Sequence, residues 1–467
     1  MGRISATLTH SSSVVQSKGS MKPSVYIETF GCQMNVADTE RAATRLHESG
    51  YYLAESTETA DVVIFNTCSV RARAEQKVFT RIGEVRKARP GREPMIGVMG
   101  CVAQLEGASI FDHTPSVDMV IGTRATDRLP LLIERAQSGE RRTLDLGERG
   151  LGDSWDVSTV ERHSPYVAFV PIIEGCNKFC TYCIVPFSRG RERSRRASEI
   201  VQEVLRLRDE GYKEVHLIGQ NVNSYRPVST EGLEGFEGAT PFSRLLRAVA
   251  ATGIYRIKFT TSFPRDFHTD IVAAIEEHWN LCDWVHLPVQ SGSDRVLRAM
   301  RRGHKVTDYL RRVEAIRGAR SRRIALTSDI IVGFPGETLE DFDATMRLVE
   351  ACQYDGLYIF KYSPRRGTPA AKLSDDVSAV EKTRRFLALE QLQRSIQRKI
   401  YESYAGRVVS VLAEGESAKS SKDMTGHSTC HKVVNFEGAK ELAGKIVRVR
   451  VREAKTNSLY GELLAGA

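Results

Sequence analysis

The chain has 467 residues, 41% of them hydrophobic and 27% charged, and a formal net charge of +9. That is enough apolar content for two or three packed domains, which excludes a disordered chain. No apolar run approaches the roughly 20 residues of a membrane-spanning helix, which excludes a transmembrane protein and leaves a cytoplasmic one as the expectation. Residues 1–22 read as a disordered extension, because MGRISATLTHSSSVVQSKGS is rich in Ser and Thr, contains no acid and offers no apolar core for a secretory signal. Nine cysteines are an odd number in a large chain of this kind, which favours metal or redox chemistry over a disulfide framework.

Residues 23–140 read as a parallel α/β domain. Three apolar stretches, SVYIETFGC, ADVVIFNTCSV and MIGVMGCVA, have strand character, and each ends on a cysteine: Cys32, Cys68 and Cys101. Helical patterns, VADTERAATRLHES and ARAEQKVFTRIGEVRKA, lie between them, and a fourth strand, DMVIGTR, follows. The order β-α-β-α-β implies a parallel sheet, whose strands' carboxyl ends share the edge where ligands bind. All three thiols are therefore expected at that edge. Soft sulfur donors select an iron-sulfur cluster or zinc. With three thiols in place of four, one metal position is left for a small molecule.

Residues 160–397 repeat a β/α pattern. Six strand-like stretches, YVAFVPII, EVHLIGQNV, RIKFTTSF, DWVHLPVQ, IALTSDIIVGF and GLYIFKYS, alternate with helical ones. Thr338 followed by Asp341 has the spacing of a capping box. Six such units predict a partial (β/α)6 barrel with its active site at the carboxyl ends of the strands. Cys176, Cys180 and Cys183 come directly after the first strand, in that position. A Cys-x3-Cys-x2-Cys loop wraps one metal centre, and structural zinc completed by His163 or His216 is the alternative on spacing alone. Five arginines follow at once, Arg189, Arg191, Arg193, Arg195 and Arg196, and a second basic run at residues 295–323 holds eleven Lys and Arg against two acids. Two such runs point to a nucleic-acid partner.

Residues 399–466 change character. Short strands, RVVSVLA, KVVNF, KIVRVRVRE and SLYGELL, suit a small OB-like β-barrel. Alternation sends Val447, Val449 and Val451 to one face and Arg448, Arg450 and Arg452 to the other, where they can meet phosphates.

C-N-K-F-C-T-Y-C at 176–183 after a barrel's first strand resembles the radical S-adenosylmethionine (radical SAM) superfamily. T-F-G-C-Q-M-N at 29–35, F-N-T-C-S-V at 65–70, G-C-V-A-Q at 100–104, G-Q-N-V-N-S-Y at 219–225 and H-L-P-V-Q-S-G-S at 286–293 resemble its methylthiotransferase branch, and within it the enzymes acting on N(6)-dimethylallyladenosine. The resemblance spans residues 24 to 466 and implies two 4Fe-4S clusters, an auxiliary one on Cys32, Cys68 and Cys101 and a catalytic one on Cys176, Cys180 and Cys183. It implies two molecules of S-adenosylmethionine, one donating a methyl group and one cleaved to a radical, with Gly219, Gln220, Asn221, Gln290, Ser291 and Gly333 lining the pocket. It further implies a C-terminal TRAM domain that grips tRNA, and attack at carbon 2 of the adenine at position 37, beside the anticodon. The expected partners are the tRNA anticodon stem-loop and an electron donor such as flavodoxin or ferredoxin, with no membrane, and the protein is expected to be a monomer. Arg366 stands where the family often has proline, and the run R-G-R-E-R-S-R resembles sister enzymes acting on threonylcarbamoyladenosine; a ribosomal-protein substrate is the remoter alternative.

Overall fold

The structure, a computed structural model, describes residues 22–69, 72–88, 93–147, 155 and 162–464. The extension expected over residues 1–22 therefore lies outside the described residues, except for Lys22. The chain divides into two compact units: one is built from the chain up to Cys176 with Ile184–Arg191, the other from Asn177–Cys183 with Glu192 onward.

In the first unit, β1 (Ser24–Thr29), α1 (Gln33–Glu48), β2 (Tyr52–Leu53), β3 (Val62–Thr67), α2 (Ala72–Ala88), β4 (Met95–Gly100), α3 (Cys101–Glu106), α4 (Ser109–His113), β5 (Met119–Gly122), α5 (Leu129–Gln137) and β6 (Thr143–Asp145) follow in order. Their six strands form one parallel sheet in the order β2-β1-β3-β4-β5-β6. Successive side chains alternate between its faces. Val62, Ile64, Met99 and Ile121 pack with Leu46, Leu129 and Leu132 on one face. Val63, Phe65, Val98 and Val120 pack with Val78, Ile82 and Phe111 on the other. A sheet apolar on both faces is the reason its strands read as near-continuous hydrophobic runs. The short edge strands β2 and β6 carry too little of that signal to be read. This unit also holds β7 (Val167–Pro171), β8 (Ile173–Glu174) and α6 (Val185–Arg189).

The second unit runs β9 (Arg193–Ser194), α7 (Ala197–Asp209), β10 (Glu214–Ile218), α8 (Pro241–Ala251), β11 (Arg256–Phe259), α9 (Thr269–Glu277), β12 (Trp284–His286), α10 (Asp294–Ala299), α11 (Val306–Arg317), β13 (Ala325–Val332), α12 (Leu339–Cys352), β14 (Gly356–Lys361) and α13 (Ala379–Glu402). β10 pairs in parallel with β11, and β13 pairs in parallel with β12 on one side and β14 on the other. Three of these strands, β10, β11 and β12, stop earlier than their sequence predicts, the last two for backbone reasons. Thr261 takes φ 67° after β11, and Gln290 takes φ 78° after Pro288 beyond β12. The capping box is formed: Thr338 Oγ1 accepts from the Asp341 N–H at 3.3 Å, and Asp341 Oδ2 accepts from the Thr338 N–H at 2.9 Å. Thr338→Ala is expected to cost about 1 kcal/mol, read as a lower denaturation midpoint with unchanged cofactor content.

A closed five-stranded barrel ends this unit, in the order β15-β16-β17-β19-β18, from β15 (Val408–Ser417), β16 (Ser420–Ser428), β17 (Val433–Glu437), β18 (Ile446–Ala454) and β19 (Leu459–Leu463). Val447, Val449 and Val451 enter its core with Val411, Met424, Phe436 and Leu459, while Arg448, Arg450 and Arg452 are exposed. β16, SSKDMTGHS, went unread because only Met424 in it is a large apolar residue.

Candidate functional site

β1, β3 and β4 are adjacent and level, with Thr29 beside Asn66 and Thr67 beside Gly100. Their carboxyl ends therefore deliver Cys32, Cys68 and Cys101 to one edge of the sheet. Cys32 caps α1 and Cys101 is the first residue of α3. The loops approach so closely that a Cβ on Gly31 would lie 2.9 Å from Cys68 Cβ, and one on Gly100 would lie 2.6 Å from the Thr67 carbonyl oxygen. Gly100 also takes φ 95°, open to glycine alone at little cost.

Two buried asparagines lock these loops together. Asn35 Oδ1 accepts from the Cys32 N–H at 3.2 Å, while its Nδ2 donates to Asn66 Oδ1 at 3.1 Å and to the Thr67 carbonyl at 3.0 Å. Asn66 Nδ2 in turn donates to the Asn35 carbonyl at 2.8 Å and to Thr39 Oγ1 at 2.9 Å. Both asparagines lie within the cysteine motifs, and contacts between distant segments give them their task.

The thiols feel one another. Hydrogen bonding with Cys68 pulls the Cys32 thiol down to about 6, helped by the charge of Arg189 and the backbone N–H groups of Asn35 and Met34. Burial pushes the Cys101 thiol up, against the pull of Arg189. Arg189 is buried between Asp38 Oδ2 at 2.6 Å and Glu174 Oε1 at 3.3 Å. A lowered thiol exists as the reactive thiolate at neutral pH. In metal-free protein, iodoacetamide at pH 7 is expected to alkylate Cys32 well before Cys352, whose thiol burial pushes up to about 11. The Cys32 rate should rise as pH passes about 6 and then level; a midpoint near that of an ordinary thiol would contradict this.

This donor set fits an iron-sulfur cluster. Its three thiols are soft donors, one for each of three irons, and leave the fourth iron without a protein thiolate. Among the described residues no three His, Cys, Asp or Glu side chains are close enough to share a single metal ion.

The second trio lies on the loop after β8. Cys176 and Cys180 are buried and Cys183 partly so. The Cys176 N–H donates to the Gly190 carbonyl at 3.0 Å, and the Cys183 N–H to the Cys180 carbonyl at 3.0 Å. Gly175, at φ 82°, is obligatory here, since a Cβ would lie 2.0 Å from the Arg191 carbonyl oxygen. Arg302 Nη1 reaches Cys180 Sγ at 3.5 Å. Of the residues named for structural zinc, His163 contacts Glu40 Oε1 at 2.8 Å and His216 pairs with Glu214.

The expected pocket residues all follow barrel strands: Gly219, Gln220 and Asn221 follow β10, Gln290 and Ser291 follow β12, and Gly333 follows β13. Gln290 is buried with a left-handed backbone, the kind of strain that surrounding structure maintains at functional sites. The Ser291 hydroxyl accepts from the Ser293 N–H at 3.2 Å and lies 3.5 Å from Thr345 Oγ1. The Gly333 N–H donates to Glu337 Oε2 at 2.6 Å, and a Cβ there would strike Lys382. Cys282, Cys352 and Cys430 are buried thiols.

The first arginine run needs correction in part as an RNA-facing surface. Arg189 and Arg195 are buried, the first with Asp38 and Glu174 and the second with Glu203, so they neutralise interior carboxylates. Only Arg191, Arg193 and Arg196 of that run are exposed. In the second run, Arg322 donates to the carbonyl of Leu281 at 2.9 Å and Arg323 pairs with Asp355 at 2.8 Å. Arg295, Arg298, Arg301, Lys305, Arg311, Arg320 and Arg323 of that run are nevertheless exposed.

Three family models match the chain: the Uncharacterized protein family UPF0004 over residues 24–122, the Radical SAM superfamily over 170–349 and the TRAM domain over 402–464. The chain is 43% identical to a tRNA-2-methylthio-N(6)-dimethylallyladenosine synthase of Koribacter versatilis (strain Ellin345), covering 94% of this chain and 98% of that one. It is 44% identical to the synthase of the same description from Solibacter usitatus (strain Ellin6076), with the same coverage. Among solved structures it resembles the radical S-adenosylmethionine methyltransferase TsrM of Kitasatospora setae, with cobalamin and [4Fe-4S] cluster bound, at TM-score 0.54 and 13% identity over 83% of this chain and 77% of that one. That last likeness concerns the fold.

Proposed function

The chain belongs to the family of tRNA-2-methylthio-N(6)-dimethylallyladenosine synthases, and from that premise we propose that it places a methylthio group on carbon 2 of N(6)-dimethylallyladenosine at position 37 of tRNA. It is a radical SAM enzyme that uses [4Fe-4S] clusters and S-adenosylmethionine and binds tRNA. The observation that carries the substrate is the near end-to-end likeness, at 43% identity over 94% of the chain, to enzymes of that description.

When bound, the clusters and S-adenosylmethionine supply the electron, the sulfur and the methyl group. The protein supplies the arrangement. Cys32, Cys68 and Cys101 would hold the auxiliary cluster, with Asn35 and Asn66 fixing the two loops and Arg189 offsetting thiolate charge. Cys176, Cys180 and Cys183 would hold the catalytic one. Gly219, Gln220, Asn221, Gln290, Ser291 and Gly333 sit where a barrel binds its ligand. For Ser291 and Gly333 the internal hydrogen bonds favour shaping the backbone of the pocket over direct contact. Arg448, Arg450 and Arg452 present positive charge suited to phosphates of the anticodon stem-loop, and the target base must leave its stack to be reached. The electron donor we assign is flavodoxin or ferredoxin, and the working form a cytoplasmic monomer.

Nucleoside mass spectrometry of tRNA from a deletion strain tests this reading. The 2-methylthio form of N(6)-dimethylallyladenosine should vanish and its precursor accumulate, with return on complementation. Loss of the 2-methylthio form of threonylcarbamoyladenosine instead would assign the sister substrate.

A further inference from the structure

Eight arginines among the described residues are buried: Arg41, Arg162, Arg189, Arg195, Arg247, Arg256, Arg302 and Arg385. Seven of them lie within ion-pair distance of a carboxylate, among them Arg41 with Asp38, Arg162 with Glu40, Arg247 with Glu277 and Arg385 with Glu337. Arg302 is the exception, since no described carboxylate lies within that distance of it. A guanidinium keeps its charge at any physiological pH, and an uncompensated buried charge is expensive. This site therefore calls for an anion.

The geometry shows which atom meets it. Arg302 Nη1 points to Cys180 Sγ at 3.5 Å and to the Tyr182 hydroxyl at 3.4 Å, while Nη2 donates to the Pro288 carbonyl at 2.7 Å. The guanidinium lies over the Phe263 ring, 4.4 Å from its centre. Its backbone is held by N–H donation to the Leu297 carbonyl at 2.9 Å, between two left-handed residues, Arg301 and Gly303. An arginine fixed at four points beside a thiol is a built contact, and it becomes a charged hydrogen bond once the thiol is a thiolate.

We propose that Arg302 is a positioning residue for the reaction: its guanidinium donates a hydrogen bond to the sulfur of Cys180 and thereby raises the reduction potential of the centre that Cys180 helps to hold. The proposal rests on Cys180 being a cluster ligand. The centre accepts one electron from an external low-potential reductant; no bond forms or breaks in that step, and the centre becomes more negative by one charge. A fixed positive charge and an N–H donor at a ligating sulfur favour the more negative state, so hydrogen bonding to sulfur tunes such potentials. Lys in this place would keep the charge and lose the fork that binds Pro288 and Cys180 together.

The test uses full-length protein carrying Cys32, Cys68 and Cys101→Ala, so that a single centre titrates, reconstituted anaerobically without S-adenosylmethionine. Redox titration with dithionite and viologen mediators, followed by electron paramagnetic resonance, gives its midpoint. With Arg302→Met the ratio of reduced to oxidised centre at a fixed solution potential should fall at least about tenfold, a downward shift of about 59 mV for a one-electron couple. Arg302→Lys should recover part of that shift. Should Arg302→Met lose its iron, Arg302→Gln, which keeps a donor without the charge, carries the same comparison. A midpoint unchanged in every iron-loaded variant would overturn the role of Arg302 while leaving Cys180 as a ligand. Failure of the arginine-containing protein to take up iron would overturn the reading of Cys180 itself.

Discussion

With Cys176, Cys180 and Cys183 all replaced by alanine, cleavage of S-adenosylmethionine is expected to fall to the uncatalysed background, while iron falls from about eight to about four per chain. The reciprocal replacement of Cys32, Cys68 and Cys101 should lose the same amount of iron but keep cleavage, and should transfer no methylthio group. The asymmetry follows from where the two trios stand. One lies on the loop after the first barrel strands, in the place where a barrel's ligand meets the strand ends. The other closes one edge of the parallel sheet, tied by Asn35 and Asn66. Assaying 5′-deoxyadenosine and methylthiolated nucleoside in parallel separates the two outcomes. Cleavage surviving the first replacement would assign the wrong trio to the cofactor.

Arg256→Met is expected to cost about 3–5 kcal/mol, because it leaves a buried carboxylate short of a partner and several acceptors unmet. Arg256 is 1% exposed. Its Nη1 donates to the His427 carbonyl at 2.8 Å, its Nη2 to the Ser410 carbonyl at 2.8 Å, and Nη1 lies 3.6 Å from Glu214 Oε2. It thus joins β11 to the terminal barrel through β15 and β16. The variant should show a lower urea midpoint and earlier proteolytic release of the terminal barrel. Glu214 adds a pH signature. Its carboxyl lies at about 2, the hydrogen bond with His216 and the charges of His216, Arg256 and Lys258 outweighing its burial. A carboxyl held below its unfolded value stabilises the fold above that value, and the contribution is lost as pH falls towards about 2. Removing Arg256 weakens one of those cations, so the variant's acid unfolding should begin at higher pH. Equal midpoints for the two proteins would show that the arginine bonds are made as well with water.

Which parts of this protein could be read from its residues follows from how local each signal is. The capping box at Thr338 involves two residues three apart, and the Val447/Arg448 alternation follows from the two-residue period of a strand; both are present as the sequence implies. The three cysteines ending β1, β3 and β4 were legible because a parallel sheet aligns strand ends whatever helices lie between. Arg189, Arg195 and Arg302 were not. A run of arginines looks like an exposed face until distant segments fold over it, and the partners Asp38 and Glu174 of Arg189 come from α1 and β8. Asn35 and Asn66 were hidden for the same reason, their value lying in a pairing across 31 residues. Gln290 gave no warning of its left-handed backbone, which glycine or asparagine would have announced.

The central claim is that each trio of thiols holds a four-iron cluster with one corner open to a small molecule. Mössbauer spectroscopy of the anaerobically reconstituted protein, with and without S-adenosylmethionine, tests it most directly. The account expects about eight irons in two [4Fe-4S] centres, with the signal of a single iron site shifting when S-adenosylmethionine is added. Iron for one centre only, or a spectrum that S-adenosylmethionine leaves unmoved, would contradict it.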